Sequence, residues 1–428
     1  MALPAGPSSA PPLALGVRLQ LSIMMLLQFA IWGSWFVAFT PYVKSLGYTN
    51  TQAGDLMGNM ALGAIISTLF AGFIADRYFA SEKMMAVLHL LGAGLLYQMA
   101  QIGPDNFSAL YWVSLAYAVL YNPTLALSNS IAFAHVPDAT RDFPGLRVLG
   151  TIGWVVVGYS VDFIYTQKDG TGLVLKSASE TNGPLLLAAG LSFVLGLYSF
   201  LLPHTPPKGQ AGDAIPFVKA LGLFKDYSFA VFFVVSLGIT VVLSFYYSFT
   251  GDFLGNKVGI KAVPSTMAIG QLAEMILLPL LPLFLYRFGM KWVLAFGMLC
   301  WGIRYLCFSF GGPDGLGFAL AILGVALHGI CFDFFFAAGF IHVDNQAPRD
   351  IRASGQALFS FLTYGVGMWL GSVLAGRLLD QYTTVGSDGV KVTDWAGFWQ
   401  VPAWGVLVGF AVFVLFFRMA PAKTEAAR

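Results

Sequence analysis

The stretch GQLAEMILLPLLPLFLY, Gly270–Tyr286, decides how this chain must be read. It is apolar enough to sit in lipid, yet Glu274 lies near its middle. A charged carboxylate at the centre of a bilayer costs about 2.5–3.5 kcal/mol on insertion scales. Gln271 stands three residues earlier, so both side chains leave one face of a helix. Two polar groups on one face of an otherwise apolar helix predict a cavity and an acid that is uncharged part of the time. Such an acid can load and release a proton, which a proton-driven cycle requires. The competing role is a packing hydrogen bond to another helix.

The whole chain carries the same signature. Of its 428 residues, 57% are hydrophobic and 10% charged, and the mean hydropathy is +0.74. Soluble domains carry roughly 25% charged residues, so the solvent for this surface is lipid. A net charge of +2 with no run of Lys or Arg argues against a nucleic-acid partner. Cys300, Cys307 and Cys331 fall in apolar segments with neither metal nor CxxC spacing and read as small buried hydrophobes. No Ser-His-Asp set, metal motif or phosphate-binding loop is visible, so no enzyme activity, cofactor or metal is expected.

A membrane-spanning helix needs about 20 mostly apolar residues. On that template the sequence predicts an all-α membrane protein with twelve transmembrane helices in two six-helix bundles. The spans are 19–42, 54–75, 83–103, 107–134, 145–165 and 183–203, then 228–250, 264–287, 291–311, 315–342, 353–376 and 396–418. Helices are required because they satisfy their own backbone polar groups in lipid. The expected divisions are a disordered tail over 1–17, a first bundle over 18–203, a cytoplasmic linker over 204–227, a second bundle over 228–418 and a C-terminal tail over 419–428. The linker contains the longest polar interruption, PHTPPKGQAGDAIPFVKALGLFKDY. With the N-terminus inside, Lys and Arg favour the inner side about two to one, which predicts cytoplasmic termini.

The two halves resemble each other. HVPDATRDFPGLR (His135–Arg147) follows the fourth span and HVDNQAPRDIRASG (His342–Gly355) follows the tenth. A weaker pair, GFIADRYFASEKM and FLYRFGMKWV, follows the second helix of each half. Repeated halves are the mark of secondary transporters, whose sites lie at the repeat interface near the midplane. A tight loop expected at Asp76 and Arg77 is similar to the cytoplasmic signature of the major facilitator superfamily, although Tyr78 and Phe79 depart from its glycine and basic positions.

Ionisable groups within spans are functional candidates by default. Besides Glu274 they are Arg304, Asp333, His328 and His89, with Arg147 a turn inside the fifth span. Arg147, Thr151 and Trp154 fall at i, i+4 and i+7, presenting a forked donor, a hydroxyl and an aromatic plane on one face. Alternatively, Arg147 snorkels to the interface and Trp154 faces lipid. In HGICFDFFF, His328 and Phe332 share a face and Asp333 points roughly 140° away from His328. Asp333 is read either as a second proton site or as a helix–helix lock, and His89 as a packing histidine. Arg304 needs an acidic partner, for which Glu274 and Asp333 are candidates. SFYYSFTGD in the seventh span supplies Ser244, Tyr246 and Tyr247, the tyrosines reading equally as interface anchors. Tyr121-Asn122-Pro123 either breaks the fourth helix or kinks it in packing. Together these groups suit a neutral polar solute with a flat ring and hydroxyls.

LLQFAIWGSWF, DFPGLRVLGTIGW, GQLAEMILLP, HGICFDFFF and IRASGQALF occur in an order that resembles the bacterial nucleoside:proton symporters of the major facilitator superfamily, from Leu19 to Arg418. The resemblance implies a proton-coupled nucleoside importer of the bacterial inner membrane, working by alternating access as a monomer in the lipid bilayer. It implies substrate contacts at Arg147, Thr151, Gln271, Glu274 and Phe332, with Asp333 as the acid that follows. Trp154 stands where familiar members have phenylalanine, and His328 where they have tyrosine. Ser244 and Tyr247 replace a Gln/Asn pair. The expected substrate set is therefore Arg147, Thr151, Trp154, Gln271, Glu274, His328, Phe332, Ser244 and Tyr247, with Glu274 or Asp333 carrying the proton. The rival readings are a major-facilitator symporter for another neutral solute, such as a sugar, and a membrane sensor that does not transport.

Overall fold

In lipid, apolar side chains gain little by leaving one apolar neighbour for another, so helices associate through small residues that let backbones approach. Glycines make those approaches here. The computed structural model describes residues 11–207, 218–348, 351–387 and 389–419, with the side chains of 69–78 and 140 outside the described set. The helices in order are α1 (Leu15–Trp35), α2 (Phe39–Ser45), α3 (Asn50–Tyr78), α4 (Ser81–Gln101), α5 (Phe107–His135), α6 (Ala139–Tyr165), α7 (Gly183–Ser199) and α8 (Tyr227–Phe253). They continue as α9 (Val263–Leu277), α10 (Leu281–Ser309), α11 (Gly315–Ala326), α12 (His328–Phe332), α13 (Ala338–Gln346), α14 (Arg352–Ser360), α15 (Met368–Gln381) and α16 (Trp395–Phe416).

By contact the chain forms two compact units, Met1–Ile215 with Ser248–Gln271, and Pro216–Tyr247 with Leu272–Arg428. Residues 248–271 cluster by contact with the first unit through several close approaches. A Cβ at Gly251 would lie 2.8 Å from the Val37 carbonyl oxygen. Ser177 Oγ donates to the Lys261 carbonyl at 2.6 Å. Asp162 of α6 accepts from the Ser265 backbone N–H at 2.8 Å, occupying a donor at the start of α9 that has no intrahelical partner.

Within the first unit, α1 packs on α6, α3 on α5, and α4 on α5 and α7. At Gly153 an added Cβ would lie 2.3 Å from the Leu26 carbonyl oxygen, and at Gly63 it would lie 2.5 Å from Ala118 Cβ. Within the second unit the main seam is α10 on α16, where Gly302 admits Leu407.

Eight described helices or helix runs are long and apolar enough to cross a membrane. One of them, Val263–Ser309, is 47 residues long and contains Gly289 at φ 75°, a left-handed geometry that breaks the helical course. Its two parts meet between the spans expected at 264–287 and 291–311.

Several boundaries differ from expectation. The first helix begins at Leu15, ahead of Arg18, so part of the expected tail is helical; residues 1–10 lie outside the described set. Asp76 and Arg77 fall in the last turn of α3, not in a loop, because the helix continues to Tyr78. The expected linker contains a 3-10 helix, Val218–Lys225, and its residues 208–217 are outside the described set, as are 349–350 of the second repeat copy and 420–428 of the C-terminal tail. Pro123 does not break α5, which runs through it; Asn122 Nδ2 donates to the Ala118 carbonyl at 2.8 Å and to the Met60 carbonyl at 3.0 Å. The fold is also not purely helical. Antiparallel pairs β1 (Gln167–Lys168) with β2 (Val174–Lys176), and β3 (Thr383–Val385) with β4 (Lys391–Thr393), close one loop in each half of the sequence.

Candidate functional site

In the first unit, α6 carries Arg147, Thr151 and Trp154 on one face, all half-buried. The Arg147 guanidinium lies 4.1 Å from the centre of the Phe29 ring, a cation–π contact with α1. Trp154 meets Trp32 edge to face at 5.4 Å and Phe36 at 6.5 Å. Gly33 makes this possible, since a Cβ there would lie 2.9 Å from the Trp154 ring. Trp32 Nε1 is buried and has no hydrogen-bond partner among the described residues. The structure therefore sets Trp154 in an aromatic group with α1, against the alternative of a lipid-facing filler.

Behind this face lies a closed polar chain. His89 Nε2 lies 2.9 Å from Gln28 Oε1, and its Nδ1 lies 3.1 Å from Ser192 Oγ. Gln28 Nε2 donates to Thr124 Oγ1 at 2.8 Å, and the Tyr121 hydroxyl donates to the Gln28 carbonyl at 2.7 Å. His89 is a satisfied packing histidine, as its sequence reading had it.

In the second unit the decisive contact is made by a glycine. A Cβ on Gly329 would lie 2.6 Å from Glu274 N and from the Ala273 carbonyl carbon, so α12 rests directly on the backbone of α9. That approach brings His328, Phe332 and Asp333 to the level of Glu274. Leu272 and Ile276 are the exposed residues on this stretch of α9, whereas Gln271 and Glu274 are half-buried. Gln271 Oε1 has no hydrogen-bond partner among the described residues. Glu274 interacts electrostatically with both Asp333 and Tyr247.

Asp333 is 1% exposed, and neither carboxyl oxygen has a hydrogen-bond partner among the described residues. It opens a π-helical turn, Asp333–Ala337, directly after α12. Such widened turns recur at functional sites. Phe332 is half-buried, its ring centre 5.6 Å from that of His328.

His328 is held by side chains of two neighbouring helices, α8 and α10. Its ring stacks on Tyr246 at 5.2 Å, its Nε2 lies 3.3 Å from the Tyr247 hydroxyl, and its Nδ1 lies 3.3 Å from Arg304 Nη1. The Arg304 guanidinium sits 3.3 Å over the Tyr246 ring and is fully buried. Among the described residues its expected acidic partner is not found: the cation is met by an aromatic face and an imidazole, and Nε and Nη2 have no hydrogen-bond partner there. Ser244 is fully buried, donates to the Val241 carbonyl at 2.7 Å and is pressed against Gly371. Its hydroxyl is spent in the α8–α15 seam. Sequence reasoning missed Trp32, Phe29 and Gln28 as supports, although the LLQFAIWGSWF motif contained all three.

The comparisons bear on what this arrangement serves. The family model described as nucleoside H+ symporter matches residues 15–422. The chain belongs to the nucleoside H+ symporter family. Escherichia coli (strain K12) YegT is 38% identical over 404 residues, covering 93% of each chain. Xanthosine permease from the same organism is 32% identical over 423 residues, covering 94% of this chain and 96% of the relative. A crystal structure of nucleoside transporter NupG superposes with a TM-score of 0.83 at 28% identity, covering 95% of this chain and all of that one. This symporter is accordingly a multi-pass membrane protein of the major-facilitator fold that imports nucleosides coupled to protons.

Proposed function

We propose that this chain binds nucleoside and proton together, with Glu274 as the proton carrier. Arg147, Thr151 and Gln271 hydrogen-bond ribose hydroxyls or base edges, and Glu274 joins them. Trp154 and Phe332 stack on the base, and Tyr247 and His328 contact its edge. Ser244 supports helix packing. The observation that carries this reading is the position of Glu274: half-buried, beneath Gly329 and within the field of a second buried acid, instead of turned to hydrocarbon. Two close carboxyls in a low-dielectric setting disfavour double ionisation, so the pair retains a proton that can be exchanged. Asp333 is the partner that makes this exchange sensitive to the state of the site.

The same reading takes the chain to cross the inner membrane of a bacterium twelve times, with both termini cytoplasmic, as a monomer in lipid cycling by alternating access. Support comes from the eight qualifying runs, the break at Gly289 within one of them, and the helices Asn50–Tyr78, Phe107–His135 and Gly183–Ser199. The divisions 18–203 and 228–418 remain the proposed bundles. The test is uptake of labelled purine and pyrimidine nucleosides into proteoliposomes with and without an inward proton gradient. Gradient-dependent uptake, competed by nucleosides and not by sugars, is expected. Uptake indifferent to the gradient, or competed by sugars, would overturn the reading.

A further inference from the structure

Within the second unit, away from the candidate substrate residues, lies a groove lined only by aromatic and aliphatic side chains. Its volume is about 470 Å3, within the range of small-molecule sites. Both arms of α10 supply its walls, Phe284 and Phe288 before the break at Gly289, Trp292 and Phe296 after it. Phe334 of the π-helical turn and Phe410 of α16 complete it. Its floor is fixed by close packing. A Cβ on Gly297 would lie 3.1 Å from the Phe334 carbonyl carbon, and the Phe284 and Phe334 ring centres are 4.8 Å apart. Phe288, Trp292 and Phe296 are exposed, so the groove opens to the surface. Such a lining does not suit water, which needs two to four polar partners to be retained. A hydrocarbon chain restores the dispersion contacts that an unfilled gap forfeits.

The rim says which hydrocarbon. The Arg287 guanidinium lies 5.8 Å from the centre of the Phe288 ring, and the Lys291 ammonium lies 6.0 Å from that of Trp292. Lys291 Nζ donates to the Val414 and Phe417 carbonyls at 2.9 and 2.8 Å, which pins its charge at the end of α16. Arg287 is exposed and forms no ion pair among the described residues. No Asp or Glu occurs from Met275 to Phe308 or from Trp395 to Met419, the stretches that supply the α10 and α16 walls. Asp333, next to Phe334, is buried. In the orientation proposed above, Arg287 and Lys291 stand at the cytoplasmic ends of the spans 264–287 and 291–311, level with the inner-leaflet headgroups.

We infer that this groove binds an anionic phospholipid, one acyl chain lying along Phe284, Phe296 and Phe334 and the phosphate meeting Arg287. A guanidinium fork matches phosphate oxygens. The charge pattern selects the headgroup, because a zwitterionic lipid would bring an ammonium to a rim that already holds two cations. The inference goes beyond nucleoside transport and rests on the reading above only for the leaflet that supplies the lipid.

Native mass spectrometry of the delipidated full chain, titrated with phosphatidylglycerol or phosphatidylcholine of identical acyl chains, tests this. The wild type is expected to take one phosphatidylglycerol about fivefold more tightly than phosphatidylcholine, the value of one cation beside an anionic lipid. Arg287→Gln, at an exposed position, should bring the two lipids within about twofold. Equal affinities in the wild type, or an undiminished preference in the variant, overturn the inference. So does a dimer in place of the lipid-bound monomer, which would seat a second copy of this chain in the groove. Ala295→Leu places bulk in the lining while leaving the rim intact, and should weaken both lipids. Unchanged affinities in that folded variant put the lipid outside the groove and overturn its placement. If Ala295→Leu does not fold, quenching of Trp292 decides, read as the difference between wild type and Trp292→Phe. Phosphatidylglycerol with brominated chains should quench it at about fivefold lower mole fraction than brominated phosphatidylcholine. Equal quenching by the two lipids overturns the inference.

Discussion

In the first unit, Gln28, His89, Thr124, Tyr121 and Ser192 hydrogen-bond one another in an unbroken chain. In the second, Asp333 keeps two carboxyl oxygens without hydrogen-bond partners among the described residues, and Arg304 keeps two such nitrogens. Both clusters are buried, and both would look equally anomalous as polar residues in apolar helices. Saturation separates them. A satisfied buried network rigidifies and specifies packing, whereas unsatisfied groups cost free energy that packing alone does not explain. The first cluster holds helices together, and the second is the one we propose serves binding or proton exchange.

The comparison can be broken where the expected effects are largest. Asp333→Asn should abolish gradient-driven nucleoside accumulation while leaving the melting temperature unchanged or higher, since it removes no hydrogen bond. Lost activity accompanied by a clear drop in melting temperature would make Asp333 a packing group. His89→Leu should do the reverse. It strips partners from Gln28 and Ser192, costing about 2–3 kcal/mol in a denaturation measurement, with KM of the folded protein unchanged. A raised KM without destabilisation would move His89 into the transport machinery. The smallest effect should come from Asp344→Asn. The Arg352–Asp344 pair, at 3.6 Å, is 41% and 48% exposed, and such pairs contribute less than about 1 kcal/mol after screening. A large loss there would show that exposure is a poor guide to polar function in this chain.

Much of this was legible in the sequence because it depends on local spacing. Gln271 and Glu274 at i, i+3, and Arg147, Thr151 and Trp154 at i, i+4, i+7, needed only the helical period. The apolar composition indicated lipid, and five short motifs in order pointed to the family. What stayed hidden depends on non-local packing. Arg304 finds its partners on α8 and α12, which no spacing on its own helix reports. Ser244 is used up because Gly371 lets α15 press against it. The π turn at Asp333 leaves no periodic trace, and the grouping of 248–271 with the first unit follows from contacts such as Asp162 with Ser265.

The most direct test of the central claim is Glu274→Gln in proteoliposomes, measured as nucleoside accumulation against a concentration gradient under an imposed proton gradient. Glutamine keeps the size and polarity of the side chain and removes only its ability to release a proton. Accumulation should vanish in protein whose melting temperature matches that of the wild type. Accumulation equal to the wild type would contradict the account, because position 274 would then have no part in coupling.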